Sequence, residues 1–284
     1  MTESGTKRWN AFLWPALAVS ILLLVLPQAA FVAMSFHRDI GMGMVGKELT
    51  LANYVDVFTD PFYLGSIWLT VWISVAATGA GLVLGFPTAY VLARMGKGWA
   101  STLLSLVIVT SLVTIVVKVM GLNILLGSSG LVNSCLLYLG LISSPLALLN
   151  NETGVVIGLV QYTLPILILL LFSGIQTIPV HLEDAAAIHG ASRFSIMRKV
   201  VLPLAMPSVV AAALIAFNMN MGAFTSAVLL GGGQVRTLPV LIENKLIENT
   251  DYAMGATLST ILLLFVFVLN VMIGLGLLNR RRRA

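Results

Sequence analysis

The stretch IPVHLEDAAAIHGASRFSIMRKVVLPLAMP, Ile178 to Pro207, is the polar exception in a strongly apolar chain. It carries two acids, three bases and two histidines between two long hydrophobic runs. Its flanks are apolar enough for a bilayer and it is not. A polar segment kept between membrane helices stands in water, where another molecule can reach it. The first expectation is therefore a docking element.

The local chemistry predicts two helices with a bend between them. Pro179 permits a helix to begin just after it. Leu182, Ala185, Ala186 and His189 fall on one face at helical spacing. Gly190 then ends the helix, as glycine commonly does after a last turn. Ser192 is a suitable N-cap for a second helix running through Val201, which Pro203 is expected to end. The run Ala185-Ala186-Ala187 removes bulk and lets a partner's groove approach. Glu183 and Asp184 lie near a helix start, where negative charge is favoured, and offer carboxylates to a partner's arginines. On these grounds alone two readings stay open: a partner-docking helix, or an amphipathic helix resting on lipid.

Composition sets the class. Of 284 residues 58% are hydrophobic and 10% charged, with a mean hydropathy of +1.00, whereas soluble domains carry about 25% charged residues. This is the composition of a polytopic all-α membrane protein. The net charge of +5 comes from bases scattered through short loops and implies no nucleic-acid partner. A lone cysteine, Cys135, excludes an intrachain disulfide and a cysteine metal cluster. His181 and His189 match no metal-ligand spacing, so no metal site is expected. Gly41 to Lys47 fits G-x-x-x-x-G-K, but Glu48 stands where a phosphate loop needs Ser or Thr and no strand precedes it. It reads as a flexible glycine loop, which leaves the chain without an ATP site of its own.

Six spans are expected, at about 11–36, 63–93, 103–125, 154–173, 204–229 and 252–278. They form one membrane domain over residues 11–279, with the polar loop at 178–203. The first run follows Lys7 and Arg8 and is too long for a signal-peptide core; Trp9 and Trp14 would mark its interface. Asn133 and Ser134 interrupt a short apolar stretch at 131–142, read as an interfacial or re-entrant helix. Gly81-x-x-x-Gly85 marks a face that another helix can approach closely. With six spans both ends lie on one side, together with the polar loop. Eleven bases fall on that side (Lys7, Arg8, Arg94, Lys97, Arg193, Arg198, Lys199 and Arg280 to Arg283) and four on the other. Loops rich in Lys and Arg stay in the cytoplasm. The N-terminus (1–10), the loop and the basic tail (280–284) are thus expected to be cytoplasmic.

Inside the spans, ionisable groups are costly and become functional candidates. Lys118 is such a group, although a lysine near an interface can also snorkel to water. In the fifth span Asn218, Met221, Gly222 and Thr225 share one face at 100° per residue, with Asn220 pointing elsewhere. That face could line a solute path or serve ordinary interhelical hydrogen bonding. No buried acid–base pair and no internal repeat supports an ion-coupled secondary transporter, and no acid or histidine cluster in the spans supports a membrane enzyme.

The polar loop resembles the EAA signature of ABC-importer permeases: E-A-A, three residues, G, nine residues, I-x-L-P. Here the matching residues are Asp184-Ala185-Ala186, Gly190 and Val200-Val201-Leu202-Pro203 at the same spacings, with Asp for Glu and Val for Ile; Glu183 also offers an acid. Asn53-Tyr54 with Asp60-Pro61, the run Gly85 to Arg94, and Ala227 to Gly232 are similar to the spermidine/putrescine branch. The resemblance implies the type I importer (MetI-like) permease fold in a bacterial inner membrane. It makes Glu183, Asp184, Ala185, Ala186, Gly190, Leu202 and Pro203 a coupling element for an ATP-binding subunit. It also implies a second permease, a paralogue, a pair of ATPases that hold ATP and Mg²⁺, and an extracytoplasmic solute-binding protein. The expected cargo is a polyamine, with an opine, an amino-acid-like compound or a phosphonate as the alternative. Members of that branch often carry an acid near Ala223, and here no Asp or Glu lies inside any span.

Overall fold

The computed structural model describes residues 3–281, with side chains at 14, 15 and 17–276. Lys7, Arg8, Trp9 and the arginines at 280–283 lie outside the described side chains. Six segments are long and apolar enough to cross a membrane: Leu17–Met34, Pro61–Arg94, Ile115–Tyr138, Glu152–Gln176, Arg193–Met221 and Tyr252–Gly276. The protein is a multi-pass membrane protein whose backbone groups are satisfied within helices, as a bilayer requires.

The elements run in the order α1 (Glu3–Met34), β1 (His37–Asp39), β2 (Val45–Leu49), α2 (Ala52–Thr59), α3 (Pro61–Arg94), α4 (Lys97–Leu112), α5 (Ile115–Leu126) and α6 (Leu131–Tyr138). Then come α7 (Glu152–Gln176), α8 (His181–Ile188), α9 (Arg193–Ile196), α10 (Leu202–Met221), α11 (Thr225–Gly231), α12 (Leu238–Glu243) and α13 (Tyr252–Arg281). Two compact units divide the chain.

One unit holds the chain up to Leu64 together with Leu241–Phe265. Here the glycine stretch folds as an antiparallel hairpin, β1 against β2, rather than a loose loop. Its turn places Gly41, Met42 and Gly43 at positive φ. Asn53 on α2 donates to the carbonyl of His37 at 2.7 Å, and Thr257 on α13 donates to that of Ser35 at 3.1 Å. These side chains satisfy backbone groups left over where α1 ends.

The other unit holds Gly65–Val240 and the chain from Val266. Its core has two clusters, both crossed by α3 and α7. One gathers Phe86, Ala89, Leu167, Leu171, Ile175, Ile196 and Val201; the other gathers Ile73, Ala77, Val119, Leu122, Val155, Leu159 and Leu230. The Gly81 to Gly85 face is where α7 packs: a Cβ at Gly81 would lie 2.7 Å from Leu167 Cδ1.

Three expected boundaries are corrected. The span at 103–125 is not one helix: α4 ends at Leu112, and Val113 and Thr114 are extended before α5 begins. Thr110 and Ser111 turn their hydroxyls back onto the carbonyls of Val107 and Ile108 (2.7 and 2.6 Å), a habit that bends helices. The span at 204–229 is also broken, with α10 stopping at Met221 and α11 starting at Thr225. Pro203, finally, does not end a helix. α9 and α10 are continuous through a π-helical turn at Met197–Val201, closed by Leu202 N–H donating to Met197. The wide turn sits just ahead of the residue that lacks an N–H, where an ordinary turn would clash with the ring.

Candidate functional site

The polar loop folds as α8, a turn at Gly190, and the start of the α9–α10 rod. Val180 and Pro179 supply the first carbonyls, with Glu183 N–H donating to Val180 at 2.8 Å. At the far end Gly190 takes φ +80°, in the left-handed region where a side chain is strained. Its N–H donates to Ala187 (2.9 Å) and that of Ala191 to Ala186 (3.2 Å). Together these two bonds form a Schellman cap, which satisfies the carbonyls that a helix end leaves over. Ser192 Oγ accepts from Ser195 N–H at 3.3 Å and starts the next helix. The three-residue step from Ala186 to Gly190 is thus the length of the cap itself.

The two acids of α8 part company. Asp184 is exposed, as are Ala185, Ala187 and Gly190. Glu183 is only 8% exposed. Its Oε1 accepts from Arg94 Nε at 2.7 Å and lies 2.6 Å from a terminal nitrogen of the same guanidinium. Its Oε2 accepts from the Tyr90 hydroxyl at 2.7 Å. Arg94 also donates to the carbonyl of Ile178 at 3.1 Å. The Glu183 carboxylate is therefore turned into the chain rather than offered outward. It also displaces the expected apolar face: Glu183 and Ala186 face inward, while Leu182, Ala185 and His189 are exposed. Removing one partner would leave a buried charge uncompensated, at a cost of about 3–5 kcal/mol.

Several residues at this site are not singled out by the sequence reading. Arg94 reads there only as a loop base and Tyr90 only as part of a similar run. Ile188 and Phe194, bulky and apolar in a polar loop, flank the Gly190 turn at 85% and 66% exposure; that contrast is the signal that could have found them. Leu202 and Pro203 lie further on: Leu202 packs against the core below, whereas Pro203 is exposed. The exposed surface of Asp184, Ala185, Ile188 and Phe194 has the composition of a docking face: apolar anchors beside one charge.

The family model of the binding-protein-dependent transport system inner membrane component matches residues 81–284. The chain belongs to that family. It is a permease of an ABC importer, a transporter subunit. It is 31% identical over 252 residues to the spermidine/putrescine transport system permease protein PotB of Haemophilus influenzae, covering 87% of this chain and 88% of that one. The PotB of Escherichia coli is also 31% identical, over 91% of each chain. The fold is that of a permease in the crystal structure of a bacterial alginate ABC transporter in complex with an alginate-bound periplasmic protein. That match has a TM-score of 0.72 at 17% identity and covers 95% of this chain and 94% of that one.

The candidate path residues of the permease do not come together. Lys118 lines an open recess of about 340 Å³ with Val107, Thr110, Val113, Gln161, Leu164, Pro165 and Ile168. Asn218, Met221 and Thr225 are not among them. Asn218 instead forms a reciprocal amide pair with Asn270 on α13, at 3.0 and 3.1 Å. Met221 is buried beside Asn220, and Thr225 starts a new helix beyond the break at Gly222. The shared face expected from a continuous helix is therefore divided. Asn220, expected to point elsewhere, is 3% exposed and donates to Thr78 Oγ1 at 3.1 Å.

Proposed function

We infer that this permease is one of two such subunits in an ATP-driven importer, and that its cargo is a polyamine of the spermidine/putrescine class. The importer is completed by a paralogous permease, a pair of ATP-binding subunits and an extracytoplasmic binding protein that delivers the solute. ATP and Mg²⁺ belong to the ATP-binding subunits, and this chain performs no bond chemistry. α8 and the Gly190 turn dock to an ATP-binding subunit on the cytoplasmic side, where the ends of the chain also lie.

The observation that carries this reading is the exposed α8 surface around Asp184 and Ala185, held rigid by the Schellman cap and closed to water beneath by the Glu183 ion pair. A rigid lever of this kind passes a cytoplasmic event to the spans attached to it, α7 and α10, in the manner of a two-state element. The polyamine reading is supported by the similarity to the two PotB proteins over most of the chain. Residues 61–151 contain no Asp or Glu. Residues 153–182, 185–242 and 252–284 contain none either, so within the spans the charges of a polyamine are met by neutral oxygens, as in selectivity filters lined with carbonyls, or by acids of the second permease.

Co-purification and uptake test the proposal. The assembled complex should carry ATPase activity and import labelled spermidine in proteoliposomes supplied with the binding protein. Asp184→Lys replaces an attractive charge by a repulsive one, worth several kcal/mol at an interface, so association should weaken about a hundredfold or more. If Asp184→Lys left both association and uptake intact, the docking face would lie elsewhere. Uptake of another solute in place of spermidine would overturn the cargo alone.

A further inference from the structure

We propose that the Arg94–Glu183–Tyr90 cluster is a transmission link that makes α3 move with the docking helix, so that one docking surface drives three spans. The link rests on the docking reading of α8. α7 and α10 are joined to the polar loop by the chain itself. α3 is not: it ends at Arg94, 84 residues before Ile178, and reaches the loop only through side chains.

The geometry suits a link that carries force in both directions. The guanidinium fork is planar and rigid. Its Nε and one terminal nitrogen meet the same carboxylate oxygen, and that terminal nitrogen also holds the Ile178 carbonyl. Tyr90, one turn earlier on α3, occupies the other carboxylate oxygen. The carboxylate cannot turn without breaking one of these contacts. The side chains of Arg94 and Glu183 are 17% and 10% exposed, so water competes weakly and the local dielectric strengthens each bond. Small and apolar side chains surround the link: Ala89, Ala93, Ala186 and Ala191 join Ile178 in one packed cluster.

Charge is an unneeded device for adhesion alone. A well-packed apolar replacement of a buried ion pair is often as stable or more so. What the pair adds is direction, since hydrogen-bonded charges fix both distance and orientation while an apolar contact can slide. The neighbouring positions Glu183 and Asp184 thus divide the work. Asp184 faces outward to the proposed partner, and Glu183 faces inward to α3.

The test uses the whole importer in proteoliposomes, with binding protein present. In the paired variant Arg94→Met/Glu183→Met, which leaves no buried charge unpaired, the complex should still assemble and hydrolyse ATP, while solute moved per ATP falls about tenfold, the scale of a typical coupling between sites. Arg94→Lys, which keeps the charge but not the fork, should be intermediate. Spin labels at Gly96 and His181, both exposed, in a chain with the exposed Cys135 replaced by alanine, supply the second readout. Their separation should stay constant through the nucleotide cycle when Arg94 and Glu183 are both present and vary in the paired variant. Unchanged solute per ATP in the paired variant, or a label separation that follows nucleotide when the pair is intact, would overturn the link. So would loss of assembly in both the paired variant and Arg94→Lys, which would make the pair a folding element only. Failure of the docking reading shows itself separately, as absence of any ATPase with the unaltered chain.

Discussion

At the scale of single residues, environment rather than identity decides what a polar group does. Glu183 and Asp184 are adjacent acids on one short helix, yet one is locked to Arg94 and Tyr90 and the other is exposed. Helical geometry turns consecutive side chains about 100° apart, which is enough to send one to each side. Asn218 gives a second case. As an isolated amide in a span it reads as a path residue, but Asn270 satisfies it from another helix. Replacing either asparagine by leucine leaves the other amide without that partner in an apolar setting. Each single variant should lose about 0.6 kcal/mol and at most about 1.7, the mean and the maximum for such bonds in membranes. The double variant should lose less than the sum of the two. Thermal unfolding of all four forms in detergent checks this, and strict additivity would show the pair to be uncoupled.

At the scale of elements, the apolar helices are interrupted, and between α5 and α7 a side chain pairs the freed backbone groups. Asn133 is fully buried between α5, α6 and the following loop. Its amide donates to the carbonyls of Gly127 and Leu146 (3.0 and 3.1 Å) and accepts from Leu146 N–H at 2.8 Å. Without it those backbone groups would lie unpaired in the apolar interior, at a cost of about 1–3 kcal/mol each. Close helix contact is the other device at this scale. A Cβ at Gly174 on α7 would collide with the Cβ and hydroxyl of Ser208 on α10, whereas one at Gly81 meets only the tip of Leu167. Gly174→Ala must therefore shift a helix backbone and should lower stability by about 1–3 kcal/mol, the usual range for overpacking. Gly81→Ala should be nearly neutral, because a leucine tip can rotate aside. Melting temperatures of the two variants provide the comparison, and equal losses would contradict it.

At the scale of the whole molecule, charge sets the orientation. The eleven bases assigned to one face include all those of the polar loop and of both ends of the chain, so the proposed topology follows the positive-inside rule. Two exposed positions test it in a chain with Cys135 replaced by alanine. Met42, at the hairpin turn, is 95% exposed, and Gly96, in the α3–α4 loop, has open space where a Cβ would stand. A membrane-impermeant maleimide should label Met42→Cys in intact spheroplasts and reach Gly96→Cys only after permeabilisation. The reverse pattern would invert the protein and place α8 on the wrong side for ATP.

The sequence by itself determined the membrane class, the count of six spans and the loop at Ile178–Pro207. All three rest on hydrophobicity and spacing, which are properties of the chain alone. It also placed the Gly190 turn and the Ser192 cap, because caps are local and their partners lie within five residues. Only the tertiary structure decided which acid of α8 faces inward, because that depends on Arg94 and Tyr90, about ninety residues away along the chain. It likewise decided where the third and fifth spans break. Hydropathy averages over a span and cannot distinguish a straight helix from a broken one; the third breaks just after the back-bonded Thr110 and Ser111, and the fifth at the Gly222 cap of α10. For the same reason Lys118, Asn218 and Thr225 look alike in sequence, and the fold puts them in three different settings.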